Sequence, residues 1–304
     1  MPATLITIPF SHYCEKARWA LERCGVRYEE DGHLPLYHYL ANRRVGAGRT
    51  VPVLRDGATL LTDSSDIVAW ADAQKPGSLL PTGPTRAEAL ALEDQFDRQL
   101  GPATRRWAYF HLLPRKDLDY LVTRGVPPWQ AASLKLTRPI AIALLKRGLK
   151  IDAAGAARSK QKIDEQFADV AQRLADGRRY LLGDRFTIAD LTFAALAAPV
   201  LVPREHPFGL PQPEELPTAR DQIEAWRATK AGQFALRSTP TTAWCRSDRP
   251  MGARPPFSCP GTREHPFGLP QPEELPTPRD QIEAWRATKA GQLALRIYAD
   301  HRVV

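Results

Sequence analysis

Thr4-Leu5-Ile6-Thr7-Ile8-Pro9-Phe10-Ser11-His12-Tyr13-Cys14-Glu15-Lys16-Ala17-Arg18 is the stretch from which the fold is read. Its opening residues are apolar or β-branched, the composition of a buried strand, and Pro9 ends the run. Beyond it Ala17, Trp19, Ala20, Leu21 and Cys24 recur at helical spacing until Gly25, a natural helix stop. The spacing predicts a strand-to-helix junction with Ser11 and Cys14 flanking the helix N-terminus. Unpaired backbone N–H groups and the helix dipole at such a point stabilise a thiolate, whether the protein's own or that of a bound small thiol. Ser-x-x-Cys is a Cys-x-x-Cys redox motif with its leading cysteine replaced. Serine cannot hold a disulfide, but its hydroxyl can donate to a thiolate brought in by a substrate. Serine is also an ordinary N-cap, and from these residues alone both readings stand.

Two further segments bear on the choice. Thr50-Val51-Pro52-Val53-Leu54 reads as a strand entered through a proline; in thioredoxin-like folds that Val–Pro bond is cis, turning the backbone sharply beside the thiol site. Leu60 to Trp70 reads as strand, cap and amphipathic helix, with Asp63 and Ser64 at the helix N-terminus. There a substrate carboxylate meets N–H groups and a hydroxyl, and Asp63 can accept from an ammonium, as a zwitterionic γ-glutamyl group requires. The plainer reading is that Asp63, Ser64 or Ser65 caps the helix.

Ser11-x-x-Cys14-x-Lys16-Ala17-Arg18, Val51-Pro52, and Asp63-Ser64 followed by Ile67 stand in an order and at separations that resemble the glutathione transferase family. The resemblance implies an α+β thioredoxin-like N-terminal domain (βαβαββα, a mixed four-stranded sheet) followed by an all-α helical-bundle domain. It implies that Ser11 activates the thiol of glutathione as co-substrate, with no tightly bound cofactor. It further implies that Val51, beside cis Pro52, bonds the cysteinyl backbone, that Asp63 and Ser64 hold the γ-glutamyl end, and that Arg49 meets the glycyl carboxylate. A hydrophobic electrophile and a homodimer follow from the same resemblance. His12 stands where many members have proline; it either tunes the thiol or is inert. Tyr13 carries a phenol that acts on the thiolate in some relatives, and Cys14 is read as a packed side chain in preference to a resolving thiol.

Helical periodicity governs the rest. Residues 1–74 are expected to form the first domain, 75–84 a Pro/Gly-rich linker and 85–237 the helical domain. A long amphipathic helix is expected from Thr85 to about Leu113, a basic and apolar one from Trp129 to about Leu149, and a third from about Ala154 to Leu174. The apolar centre of the second is too short to span a bilayer. Thr187 to Asp190 forms a capping box, with Asp for the usual Glu, opening an apolar helix that runs to Ala198.

Arg204 to Arg237 recurs as Arg263 to Arg296, differing only at Ala219/Pro278 and Phe234/Leu293. Two near-identical copies indicate a recent duplication, whereas a solenoid shows drifted copies in greater number. The genetic code accounts for part of the spacer at 238–262. A one-nucleotide shift turns the residues that follow the second copy into Ser238 to Cys245, and turns Ala197 to Pro203 into Arg254 to Pro260. Arg246 to Ala253 has no such derivation. We read the spacer as out-of-frame translation inside a tandem duplication or an assembly error of that form, which removes Trp244, Cys245 and Cys259 from consideration as ligands or disulfide partners, and 263–304 as the duplicated end. The matched codons end in G or C, the mark of a GC-rich genome; some such bacteria use other low-molecular-weight thiols, so a thiol co-substrate is better supported than glutathione itself.

At 304 residues and 43% hydrophobic composition the chain can bury two cores. The net charge of +8 is spread along the sequence without an aromatic-interleaved patch, which favours solvated helix faces over nucleic-acid binding. Two remaining cysteines, Cys14 and Cys24, and the lack of an apolar leader or span point to the cytosol and away from membranes. Cys24 is read as packing, His206 and His265 as copies of one loop residue, and no histidine spacing suits a metal. The expected activity is a glutathione transferase-like one. The alternatives are a thiol–disulfide oxidoreductase or glutathione-dependent isomerase on the same fold, and a non-catalytic binding or interaction module.

Overall fold

The computed structural model describes residues 2–206 and 208–240. Strands β1 (Ala3–Thr7), β2 (Tyr28–Gly32), β3 (Val53–Asp56) and β4 (Thr59–Leu61) form one sheet in the order β2-β1-β3-β4. Strand β1 is parallel to β2 and antiparallel to β3, and β4 is antiparallel to β3. With helices α1 (His12–Arg23), α2 (His38–Arg44) and α3 (Ser64–Gln74) this is the expected βαβαββα thioredoxin-like arrangement.

The central strand is apolar on both faces because both faces are covered. Leu5 turns into the main core with Ala17, Ala20, Leu54 and Ile67, between the sheet and helices α1 and α3. Ile6 turns the other way, onto Ala41 of α2 and Val53. Helix α1 stops as its sequence requires, at Cys24 and then Gly25, whose φ of +71° is the left-handed conformation glycine adopts without strain.

The register decides where the loops go. Ile6 lies opposite Val53 and Leu54 opposite Leu61. The exit of β1, the entry of β3 and the exit of β4 therefore share one edge of the sheet. Ser11, Val51-Pro52 and Asp63-Ser64 all lie just beyond that edge.

Helix α4 (Pro84–Gln95) starts with a proline at its first turn. It runs without a break through a π-helical turn, Phe96–Leu100, into α5 (Gly101–Leu112). The single long helix expected from Thr85 to Leu113 is thus present, but one wide turn interrupts its α-helical winding. Gly101 lies where a Cβ would come within 2.3 Å of the Tyr13 hydroxyl, so only glycine lets the two helices approach this closely. A short helix α6 (Asp119–Thr123), then α7 (Pro128–Gly148) and α8 (Ala153–Arg173), follow.

Helix α9 (Ile188–Leu201) is apolar all round and buried along nearly its whole length. Its start is the expected capping box: Asp190 accepts from the backbone N–H of Thr187 at 2.6 Å and, further back, from that of Leu181 at 2.8 Å. Around it pack α1, α4 and α5, with α10 (Arg220–Ala228) and α11 (Lys230–Ser238) closing the far side, and Phe167 of α8 meets Phe193 at 5.5 Å between ring centroids. The first of the two repeated segments is therefore part of the core. Trp226 meets Trp107 at 4.8 Å between ring centroids and donates its Nε1–H to Asp164, and Phe234 stacks on Phe193. The second copy and the spacer beyond residue 240 lie outside the described residues. Among the described residues no helix is long and apolar enough to cross a membrane.

Candidate thiol site and the adjoining cavity

Ser11 is half-buried and occupies the N-cap position of α1 in an extended conformation, yet its hydroxyl makes no capping bond. The hydroxyl lies instead beside the thiol of Cys14, one turn into the helix. Cys14 is 0% exposed. Burial pushes its thiol up to about 11; the Arg18 charge, the Ile8 backbone and the Ser11 hydroxyl pull the other way and lose. A thiol held neutral and out of solvent is a poor nucleophile and a poor resolving group. Cys24 is likewise buried and pushed up to about 11 by the same cause.

The neighbours of Ser11 are fixed by contacts with the helical part. His12 is buried and donates Nε2–H to the carbonyl of Gly101 at 3.0 Å, which sets its tautomer. Desolvation, helped by the charge of Arg105, lowers it to about 3, so the ring is neutral at physiological pH. Tyr13 donates its phenol to the carbonyl of Asp97 at 2.9 Å, and burial raises its pKa. Its hydroxyl is committed to the helical domain. The loop before Ser11 is pinned by Arg18, which donates to the Pro9 carbonyl at 2.8 Å and pairs with Glu15 and Glu30 at 2.7 Å each.

On the opposite wall the Val51–Pro52 bond is cis, as expected. The loop leading to it is tied from below: Asn42 donates to the carbonyls of Gly48 and Thr50, and His38 to that of Arg49. Burial lowers His38 to about 4, which leaves it neutral with Nε2–H as the donor. Arg49 is exposed on this loop. Asp63 is the N-cap of α3 and accepts from the Ser65 N–H at 2.7 Å, so the capping reading of Asp63 holds. That bond engages one of its two carboxylate oxygens, and Ser64, the first residue of α3, is buried.

Beneath these residues is a polar cluster that no motif announces. Lys16 is 0% exposed, and its ammonium donates to Ser65 Oγ at 2.9 Å, to Asp97 Oδ1 at 2.8 Å and to Glu93. Ser65 in turn donates to Glu93 at 2.6 Å. One cation and two carboxylates thereby join the first turns of α1 and α3 to α4 and the π-helical turn. The hint in the sequence is a lysine on the apolar face of α1, but its partners lie 77 and 81 residues away.

Behind Phe10 and His12 opens an apolar cavity of about 160 Å³. Phe10, Tyr109, Leu112, Leu121, Ile142 and Phe208 form much of its wall. Helix α7 roofs it, held to the β2–α2 loop by three polar contacts. Gln130 accepts from the Leu34 N–H and meets His33 at 2.9 Å, and Tyr37 meets Ser133 at 2.9 Å. The charged groups on this wall are Glu15, Arg105, Arg115, Asp119 and Arg138.

Residues 5–79 match the family model described as glutathione S-transferase, N-terminal domain, and residues 153–229 match that of the glutathione S-transferase C-terminal domain. Among solved structures the chain is similar to glutathione transferase F2 of Populus trichocarpa, at 17% identity over 78% of this chain and 98% of that one, with a TM-score of 0.49. It is also similar to the beta-etherase LigF of Sphingobium sp. strain SYK-6, at 18% identity over 79% of this chain and 100% of the other, TM-score 0.48. A third is the theta class glutathione S-transferase of Xanthomonas axonopodis pv. citri with glutathione bound, at 22% identity over 78% and 97%, TM-score 0.43. No curated protein matches the chain. The two domain matches flank a stretch, 80–152, that neither covers, and together they account for half of the sequence. With the sheet order, the cis proline and the helical domain around α9, they establish that the chain belongs to the glutathione S-transferase family.

Proposed function

We propose that this protein transfers hydrophobic electrophiles onto the thiol of glutathione, or of a similar small cellular thiol, with Ser11 as the group that lowers the thiol pKa. The observation that carries the reading is a serine at the N-terminus of α1 whose hydroxyl is not used as a cap, on the same sheet edge as cis Pro52 and the start of α3. In this reading Val51 presents its backbone to the cysteinyl part of the peptide, Asp63 and Ser64 receive the γ-glutamyl end, and Arg49 draws in the glycyl carboxylate. Binding places the sulfur against the Ser11 O–H and the free N–H groups of the helix. The thiol proton passes to solvent. The thiolate then attacks the electrophilic carbon held in the adjoining cavity, a C–S bond forms, and the leaving group departs with the electron pair of its bond.

The burial and raised pKa of Cys14 weigh against a dithiol reductase. A homodimer is part of the same proposal through family membership, and light scattering reads it directly. Ser11→Ala is the test of the mechanism. Loss of a donor aimed at developing negative charge costs about 10²- to 10³-fold in kcat. We expect glutathione still to bind, with the pKa of its bound thiol, read from thiolate absorbance against pH, shifted upward. An unchanged kcat, or an unchanged thiol pKa, would refute the role of Ser11. Absence of conjugation by the parent protein with any small thiol would leave the binding-module reading in its place.

A further inference from the structure

Among the described residues one cation of the cavity wall has no carboxylate partner. Arg115 pairs with Asp117 at 2.5 Å, Arg138 with Asp119 at 2.7 Å, and Glu15 with Arg18, which it shares with Glu30, at 2.7 Å each. His12 and His206 are neutral, both lowered chiefly by burial. Arg105 has no ion pair and no hydrogen bond among the described residues. Its guanidinium carbon stands 5.8 Å from the centre of the Tyr13 ring, on α5 one turn beyond the Gly101 carbonyl that holds His12. A half-buried guanidinium beside apolar surface gives up hydration without a protein anion to replace it, so an anion entering the cavity gains a charge-assisted, bidentate partner.

We propose that Arg105 binds a carboxylate on the second substrate, so that the preferred electrophiles are apolar molecules bearing a carboxylate group. The apolar body would fill the space under α7 and the acid would sit on Arg105, with the reactive carbon turned to the Ser11 side. That last orientation rests on the transferase reading; the anion site does not. Arginine suits the task better than lysine because its planar fork matches both carboxylate oxygens.

A binding measurement tests the site without any turnover. Inert 4-methyl-3,5-dinitrobenzoate and its methyl ester are titrated into the full chain by calorimetry, with no thiol present. The acid is expected to bind about 10- to 100-fold more tightly than the ester, and Arg105→Met to remove that preference while leaving the ester within about twofold. Arg105→Lys should restore part of it, which a purely structural arginine would not do. Equal binding of acid and ester, or equal weakening of both in Arg105→Met, overturns the proposal. The chloro analogues, assayed with glutathione and with other small cellular thiols, separate the two readings. If neither is conjugated while the inert acid still binds through Arg105, the transferase reading falls and the anion site stands. If the ester is conjugated as fast as the acid and Arg105→Met changes neither rate, the anion site falls and the transferase reading stands.

Discussion

Lys16→Met removes the one cation that, among the described residues, pairs with two buried or partly buried carboxylates, Glu93 and Asp97. Methionine keeps the length and the apolar stem of lysine, so the perturbation is electrostatic rather than a cavity. Truncating one partner of a buried pair costs about 3–5 kcal/mol, because the remaining charge has lost both water and counter-ion. Against a typical global stability of about 5–15 kcal/mol this is a large share. For a chain of this size each kcal/mol moves the melting temperature by about 2–4 °C, so a fall of about 6–20 °C is expected. Urea and thermal unfolding of the parent, Lys16→Met, Glu93→Gln and the double variant form a cycle. Glu93→Gln should recover part of the loss in the Lys16→Met background, giving a coupling well above the roughly 0.5 kcal/mol within which independent sites add.

The pH dependence supplies a second check on the same variant. Burial already raises the pKa of Asp97, with Lys16 pulling it down. Without Lys16 it rises further. A carboxyl whose folded pKa lies above its unfolded value takes up a proton on folding, so its folded form gains stability as pH falls towards that unfolded value. The deficit of Lys16→Met should therefore shrink between pH 7 and pH 5. A loss under about 1 kcal/mol at pH 7, or an additive cycle, would refute the view that this cluster is a coupled unit.

Gly232→Ala places a Cβ 2.0 Å from the Trp226 carbonyl oxygen, a backbone atom that cannot turn aside. The cost should reach the upper end of the roughly 1–3 kcal/mol seen for overpacking, read as a lower urea midpoint. Asp190→Ala strips the Leu181 and Thr187 N–H groups of their acceptor in a buried site, and should cost about 2–4 kcal/mol, with Asp190→Asn intermediate in the same unfolding assay. His12, His38, His111 and His206 are all held below their ordinary value of 6.5, chiefly by burial. A base with a lowered folded pKa contributes stability that is complete above its unfolded pKa and lost as pH falls below it. His12, lowered to about 3, and His38, lowered to about 4, should each remove about 1.4 kcal/mol per pH unit between 6.5 and those values, and His12→Gln should flatten the slope of urea midpoint against pH by one proton's worth; an unchanged slope would show that His12 does not titrate on unfolding.

The parts of the fold that local chemistry determines were open to reading from sequence. Gly25, the Val51-Pro52 pair and the Thr187–Asp190 box each act within a few residues, and each is found where its residue type requires. The π-helical turn was not legible. Leu92, Phe96 and Leu100 keep a spacing of four, which an α-helix and a wide turn both satisfy, and the choice falls to packing against Tyr13 and α9. The charges of α1 were illegible in another way. Glu15, Lys16 and Arg18 are all buried, and their sequence does not tell with what, because their partners come from β2, α3, α4 and the π-helical turn. The cavity has no sequence signature at all: its wall joins α5, α6 and α7 to the loop after α9, and nothing in any one of these predicts the others.

The Lys16 cluster also bears on how such a chain can be recombined. The family models recognise its halves as separate units, which invites exchanging one for its counterpart from a relative. A hybrid that takes residues up to the linker from this chain carries Lys16 and Ser65 and depends on the other parent for carboxylates to meet them, and the reciprocal hybrid depends on it for a cation to meet Glu93 and Asp97. Neither half is a neutral cassette. A crossover beyond Asp97, inside the long helix and well past the linker, removes that dependence, because all four groups then travel together.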